Sequence, residues 1–305
     1  MRVLITQSID PGGLALLEAA GLELTLREGE EAISREALLA RVAGCEGLLC
    51  MPTDTIDAEV MDAGPLRVVS GHAVGVDNID LEAARERGVI VTNTPGVLTE
   101  ATADLTLALL LACARRVLEG DALIRAGGFK AWRPTMLRGM DLYGARLGIV
   151  GMGRIGSAVA SRAQVFGMEV VHHSRSGGIS LSELLETADV VSLHCPLTPA
   201  TRHLMGEPEL RTMKSTALLI NTARGAIVDE PVLARALSEG WIAGAGIDVF
   251  EHEPAVHPDL LAAPNAVLLP HLGSATWRAR RRMAELAARN LIEALADREP
   301  THRVA

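Results

Sequence analysis

One stretch limits the fold more than any other. The apolar run Leu147-Gly148-Ile149-Val150 ends in Gly151-Met152-Gly153-Arg154-Ile155-Gly156, and a helical run continues from there to Phe166. Strand, glycine turn and helix follow in the order of a mononucleotide-binding βα unit. Gly151 permits the tight turn, Gly153 lets backbone approach a pyrophosphate, and Gly156 lets the helix pack closely on the strand, while the helix N-terminus attracts the anion. A dinucleotide site is therefore expected, with Arg154 and Ile155 among its contacts. The next strand, Glu169 to His173, ends in Ser174-Arg175 where an NAD site would place a carboxylate for the ribose hydroxyls. No acid stands there. Arg175 can instead grip a 2′-phosphate, so NADPH is favoured over NADH, with Ser174 beside it.

The glycine turn sits within a longer pattern. Short β-branched runs alternate with amphipathic helical runs from end to end, the mark of parallel sheets covered by crossover helices. In the first third, strands are expected at 3–6, 22–26, 47–50, 67–70 and 89–92, with helices near 13–20, 34–43, 57–63 and 80–87. One long helix is read from Thr99 to about Leu118, then an irregular stretch over 127–139, then the glycine-turn strand. Between Arg175 and the strand beginning at Asp189 too few residues remain for a full crossover, so the third strand of a 3-2-1-4-5-6 sheet is missing or vestigial. A last amphipathic helix spans about 275–296. The expected architecture is α/β, with two doubly wound parallel-sheet domains and a cleft between them. Residues 1–98 plus 275–305 form a flavodoxin-like substrate domain, and 99–274 a Rossmann cofactor domain.

Composition excludes several classes of partner. Against 38 acidic residues stand 29 basic ones, a formal charge of −9 that repels nucleic acid and anionic membranes. Lys130 and Lys214 are the lysines, leaving 27 arginines, so one arginine by itself says little. Cys45, Cys50, Cys113 and Cys195 lie in apolar runs without metal-ligand spacing and read as reduced thiols, with no metal site. Met1 to Thr6 reads directly as a strand and no 18-residue apolar span occurs, so a cytoplasmic location is expected.

Three later segments each set a polar residue just past an apolar run, where open α/β sheets bind ligands. They are Leu218-Leu219-Ile220-Asn221-Thr222-Ala223-Arg224-Gly225, Ala245-Gly246-Ile247-Asp248-Val249-Phe250-Glu251-His252-Glu253-Pro254, and Val267-Leu268-Leu269-Pro270-His271-Leu272-Gly273-Ser274. With Gly75-Val76-Asp77-Asn78-Ile79-Asp80 and His194-Cys195-Pro196-Leu197-Thr198, they resemble the D-isomer-specific 2-hydroxyacid dehydrogenases over nearly the whole chain. Thr94 to Thr99 and Trp132-Arg133-Pro134 are most similar to the glyoxylate/hydroxypyruvate reductase branch.

That resemblance implies an NAD(P)H-dependent reductase of small 2-oxo acids. Arg224 would hold the substrate carboxylate, His271 would donate the proton, and Glu253 would pair with His271. A guanidinium meets a carboxylate through two parallel hydrogen bonds, and an imidazole beside a carboxylate keeps its proton near neutral pH. The resemblance also assigns Pro196, Thr222, Ala223, Asp248 and Gly273 to the cofactor. It assigns Val74 and Gly75 to the substrate carboxylate, Met51 and Trp132 to the pocket, and a homodimer through the cofactor domain, using the apolar face of the 99–118 helix. Two alternatives stay open: an enzyme similar to D-3-phosphoglycerate dehydrogenase, and a non-enzymatic dinucleotide-sensing corepressor.

Overall fold

The computed structural model describes residues 1–29 and 31–305, which divide into two compact units, 1–98 with 275–305 and 99–274. The first carries a five-stranded parallel sheet in the order β2-β1-β3-β4-β5. Its strands are β1 (Arg2–Ile5), β2 (Glu23–Leu26), β3 (Gly47–Cys50), β4 (Val68–Gly71) and β5 (Ile90–Thr92), and its helices are α1 (Pro11–Ala19), α2 (Arg35–Val42), α3 (Ala58–Asp62) and α4 (Leu81–Glu86). Strand residues alternate between two cores. Leu4, Leu48, Val69 and Val91 join α2, α3 and α4 on one face. Val3, Ile5, Leu49 and Val68 meet Ala284, Ala287, Ala288 and Leu291 of α12 (Trp277–Leu295) on the other. The small α12 face lets α1 come close: a Cβ on Gly13 would lie 2.8 Å from that of Ala284.

The second unit opens with α5 (Thr99–Ala114) and α6 (Val117–Arg125) and builds a seven-stranded sheet in the order β12-β11-β10-β9-β6-β7-β8. The strands are β6 (Arg146–Val150), β7 (Glu169–Ser174), β8 (Gly177–Gly178), β9 (Val190–Leu193), β10 (Leu218–Asn221), β11 (Gly244–Ile247) and β12 (Ala266–Leu268). The helices are α7 (Arg154–Val165), α8 (Leu181–Thr187), α9 (Glu207–Thr212), α10 (Glu230–Ser238) and α11 (Pro258–Leu261). The vestigial third strand is β8, two glycines paired antiparallel to β7. A Cβ on Gly178 would strike the His172 carbonyl oxygen at 2.0 Å, so only glycine fits this shortened edge.

The long helix expected over 99–118 is interrupted. It stops at Ala114, Arg116 turns left-handed (φ 51°), and α6 begins at Val117. The returning chain supplies the reason, because the Met140 N–H takes the Ala114 carbonyl (2.8 Å), the acceptor a continuing helix would offer residue 118. The apolar face expected to meet a partner subunit divides between these two helices. Leu109 and Leu110 of α5 are buried in the unit's own core, whereas α6 has no buried residue and leaves Val117, Leu118 and Ile124 more than half exposed.

Candidate active site

Strands β10, β11 and β12 are parallel sheet neighbours, so the loops leaving their C-terminal ends rise side by side. Arg224 lies on the first loop, Asp248 and Glu253 on the second, and His271 on the third. Asn221, buried at the end of β10, shapes the first turn: its Oδ1 accepts from the Ala223 N–H (3.0 Å) and its Nδ2 donates to the Arg224 carbonyl (2.9 Å). Gly225 follows. A Cβ there would fall 1.9 Å from the Phe250 carbonyl carbon, so the second loop can close over the first only across a glycine.

The second and third loops join through two carboxylates. Asp248 is fully buried and accepts the Leu272 N–H on Oδ1 (2.6 Å) and the Gly273 N–H on Oδ2 (2.8 Å). Burial pushes its carboxyl up, against those two amides and nearby His271. The His271 N–H reaches the Asp248 carbonyl (2.8 Å), and His271 itself sits in the left-handed region at φ 55°. A non-glycine residue there costs about 1 kcal/mol or more, which the surrounding hydrogen bonds sustain.

Glu253 Oε2 meets His271 Nδ1 at 2.8 Å, and its Oε1 accepts the Phe250 N–H at 3.0 Å. Burial works against the Glu253 carboxylate, but His271, the Phe250 amide and the nearby Arg224 charge outweigh it and hold the group below the usual carboxylate range. Arg224 Nη1 donates to the Ala223 carbonyl (2.9 Å). The three residues expected to act together are thus gathered in one unit.

The glycine turn meets its steric requirements. Gly151 has φ 100° and a Cβ on it would lie 2.6 Å from the Cys195 nitrogen; one on Gly156 would lie 2.2 Å from the Gly151 carbonyl oxygen; one on Gly153 would meet nothing within 4 Å. The first and third glycines are demanded by packing, and the second leaves open approach to backbone. No side chain caps the start of α7 at Gly153. These features fit a bound pyrophosphate, with Arg154 exposed and Ile155 half-buried beside it. Ser174 turns its hydroxyl to the Gly177 carbonyl (3.0 Å), and Arg175 is exposed at the tip.

The remaining expected contacts are spread over both units. The Thr222 hydroxyl pairs with that of Thr106 in α5 (2.9 Å), and Thr102 one turn earlier donates to the Gly273 carbonyl (3.1 Å). Asp248 has an N–H of the third loop on each oxygen. Pro196 is exposed and Ala223 half-buried. In the first unit Met51 is buried beyond β3, and Val74 and Gly75 are half-buried beyond β4, with the Val74 carbonyl held by Asn93 Nδ2 (2.7 Å). Trp132 is 76% exposed. Reading the sequence overlooked Glu230, a buried acid opening α10 whose oxygens accept the Glu251 and His257 N–H groups. Its cue was an acid among the apolar residues of 226–237. Among the described residues no His, Cys, Asp and Glu group is arranged to hold a metal, and no helix is long and apolar enough to cross a membrane.

Known proteins show the same plan. Residues 107–273 match the family model of the D-isomer specific 2-hydroxyacid dehydrogenase, NAD binding domain. A glyoxylate reductase of Korarchaeum cryptofilum is 51% identical over 306 residues, spanning 95% of this chain and 92% of that protein. One of Thermococcus onnurineus is 50% identical over 307 residues, with the same coverage of 95% and 92%. Among solved structures, a protein of Thermus thermophilus superposes with TM-score 0.95 at 53% identity over the whole of both chains. An NADPH-dependent glyoxylate/hydroxypyruvate reductase of Sinorhizobium meliloti, in complex with NADP and malonate, gives TM-score 0.88 at 33% identity, covering 100% of this chain and 96% of that one. The chain belongs to the D-isomer-specific 2-hydroxyacid dehydrogenase family and is a nicotinamide-dependent oxidoreductase of small 2-oxo and 2-hydroxy acids.

Proposed function

We propose that the chain reduces glyoxylate and hydroxypyruvate to glycolate and D-glycerate, preferring NADPH, with Arg224, Glu253 and His271 as its chemical groups. The observation that carries this reading is the 2.8 Å pair between His271 Nδ1 and Glu253 Oε2, on the loop next to that of Arg224. Two curated relatives about half identical to the chain are glyoxylate reductases, which supports the substrate.

Reduced nicotinamide, when bound, supplies the hydride. The glycine turn and the start of α7 would hold its pyrophosphate. Arg224 pairs with the substrate carboxylate through two charge-assisted hydrogen bonds and so fixes the carbonyl. Glu253 occupies His271 Nδ1, which leaves Nε2 to face the substrate oxygen. With Nδ1 held by Glu253, Nε2 gives its proton as the alkoxide forms. His271 then takes a proton from solvent, to which its side chain is 34% exposed. Exposed Arg175, with no acid at the end of β7, supports the preference for a 2′-phosphate. A homodimer through the second unit rests on α6, whose exposed Val117, Leu118 and Ile124 ask for cover.

The test follows oxidation of NADPH and NADH with glyoxylate, hydroxypyruvate and 3-phosphohydroxypyruvate in turn. The expected result is turnover of the first two and a fall in NADPH preference for Arg175→Ala. Faster turnover of the phosphorylated acid would move the assignment to a phosphoglycerate dehydrogenase. Absence of turnover on any 2-oxo acid would favour a sensor.

A further inference from the structure

Glu253 reaches His271 only if the 250–257 loop holds its shape, and the loop is fastened by a residue outside the chemistry. Glu230 begins α10 and is 7% exposed. Its Oε2 accepts the Glu251 N–H at 2.8 Å and its Oε1 the His257 N–H at 2.6 Å. One carboxylate thereby grips the loop two residues before Glu253 and four residues after it. We infer that Glu230 is a positioning residue for proton transfer, a clamp that sets the Glu253 carboxylate against His271 Nδ1. This rests on the reading that Glu253 and His271 act as a pair.

The loop has one other tether on this side. The Glu251 side chain meets His203 Nε2 (2.7 Å) and Arg202 (3.5 Å), both near the surface. Those bonds hold one end of the loop, whereas Glu230 holds both. The charged groups acting on the pair are Arg224, which favours the Glu253 carboxylate, and Asp248, which lies close to both His271 and Glu253. A glutamine at 230 keeps one acceptor but turns an NH2 toward a backbone N–H, which releases one end. An aspartate is one methylene shorter and cannot span both amides.

The experiment measures the pH profile of kcat/KM for reduction in the wild type, Glu253→Gln, Glu230→Gln and Glu230→Asp, with NADPH affinity measured separately. Glu253→Gln, which removes the carboxylate partner of the imidazole, must lower kcat and displace the pH profile. Glu230→Gln should lower kcat about 10-fold, a fraction of the 10²–10⁴ that general acid transfer supplies. Its profile should shift in the direction of Glu253→Gln, with Kd for NADPH within about 2-fold of wild type and little added loss in the double variant. A lowered active fraction with an unmoved profile would overturn the clamp and leave Glu230 a fold residue. A profile unmoved in Glu253→Gln itself would instead overturn the reading beneath. Should the Glu230 variants not fold, amide exchange in the wild type decides: slow exchange at Glu251 and His257 supports the clamp, and free exchange refutes it.

Discussion

The two sheets end alike and serve different purposes. Beyond β3 of the first unit, buried Asp54 accepts the Thr6 hydroxyl (2.5 Å) and the Met51 N–H (2.7 Å). Beyond β11 of the second, buried Asp248 accepts two loop amides, and burial raises the carboxyl of both aspartates. The chains that follow differ. Around Asp54, Asn78 Nδ2 closes on the Met51 and Asp54 carbonyls, so the polar groups satisfy one another. Around Asp248, the same kind of bonding holds a strained His271 against Glu253, beside Arg224. A buried carboxylate at a strand end thus builds a loop in either unit, and in the second unit that loop also carries a second ionisable group.

Substitutions can break this contrast. Arg224→Lys keeps the charge but loses the planar fork. It should cut kcat/KM by about 10²–10³, since charge-assisted hydrogen bonds are worth about 1.5–3 kcal/mol each, with the thermal midpoint unchanged. Steady-state kinetics beside a melting curve check it. Gly225→Ala forces a Cβ into the Phe250 backbone and should destabilise the second unit by about 3 kcal/mol, the upper range of overpacking, and abolish turnover. Urea unfolding and kinetics together read this out.

Acid should weaken both units for the same reason. Burial lowers His72 in the first and His194 in the second from 6.5 to about 4, the Arg280 charge adding to the effect on His72. The unfolded chain therefore binds protons that the folded chain refuses. Stability is full above pH 6.5 and falls as pH drops toward 4, by about 2 kcal/mol per histidine between pH 6.5 and 5. Urea midpoints at pH 7.5 and 5 test this, and His72→Gln should flatten the difference. The smallest effect is Thr6→Val, which removes a hydrogen bond from Asp54 and should lower stability by about 1 kcal/mol with kcat retained.

Much of this was legible in the sequence because strands and glycine turns are local. The alternation of Val3, Leu4 and Ile5 between two cores follows from period two, and Gly151, Gly153 and Gly156 announce their spacing. The convergence of Arg224, Glu253 and His271 was reached through resemblance, and the adjacency of β10, β11 and β12 explains it physically. What stayed hidden depends on contacts distant in sequence. Met140 ends α5 by taking the Ala114 carbonyl, Thr106 claims the Thr222 hydroxyl, and Glu230 fastens a loop 21 and 27 residues ahead of it. No local pattern marks such partners.

In the proposed reaction the imidazole held at Glu253 delivers the proton while the glycine turn separately holds the dinucleotide. Single-turnover oxidation of bound NADPH by glyoxylate in His271→Asn, with NADPH affinity measured by fluorescence in the same preparation, tests it most directly. The expected result is affinity within about 2-fold of wild type and hydride transfer slower by about 10²–10⁴. Transfer at the wild-type rate in that variant would contradict it.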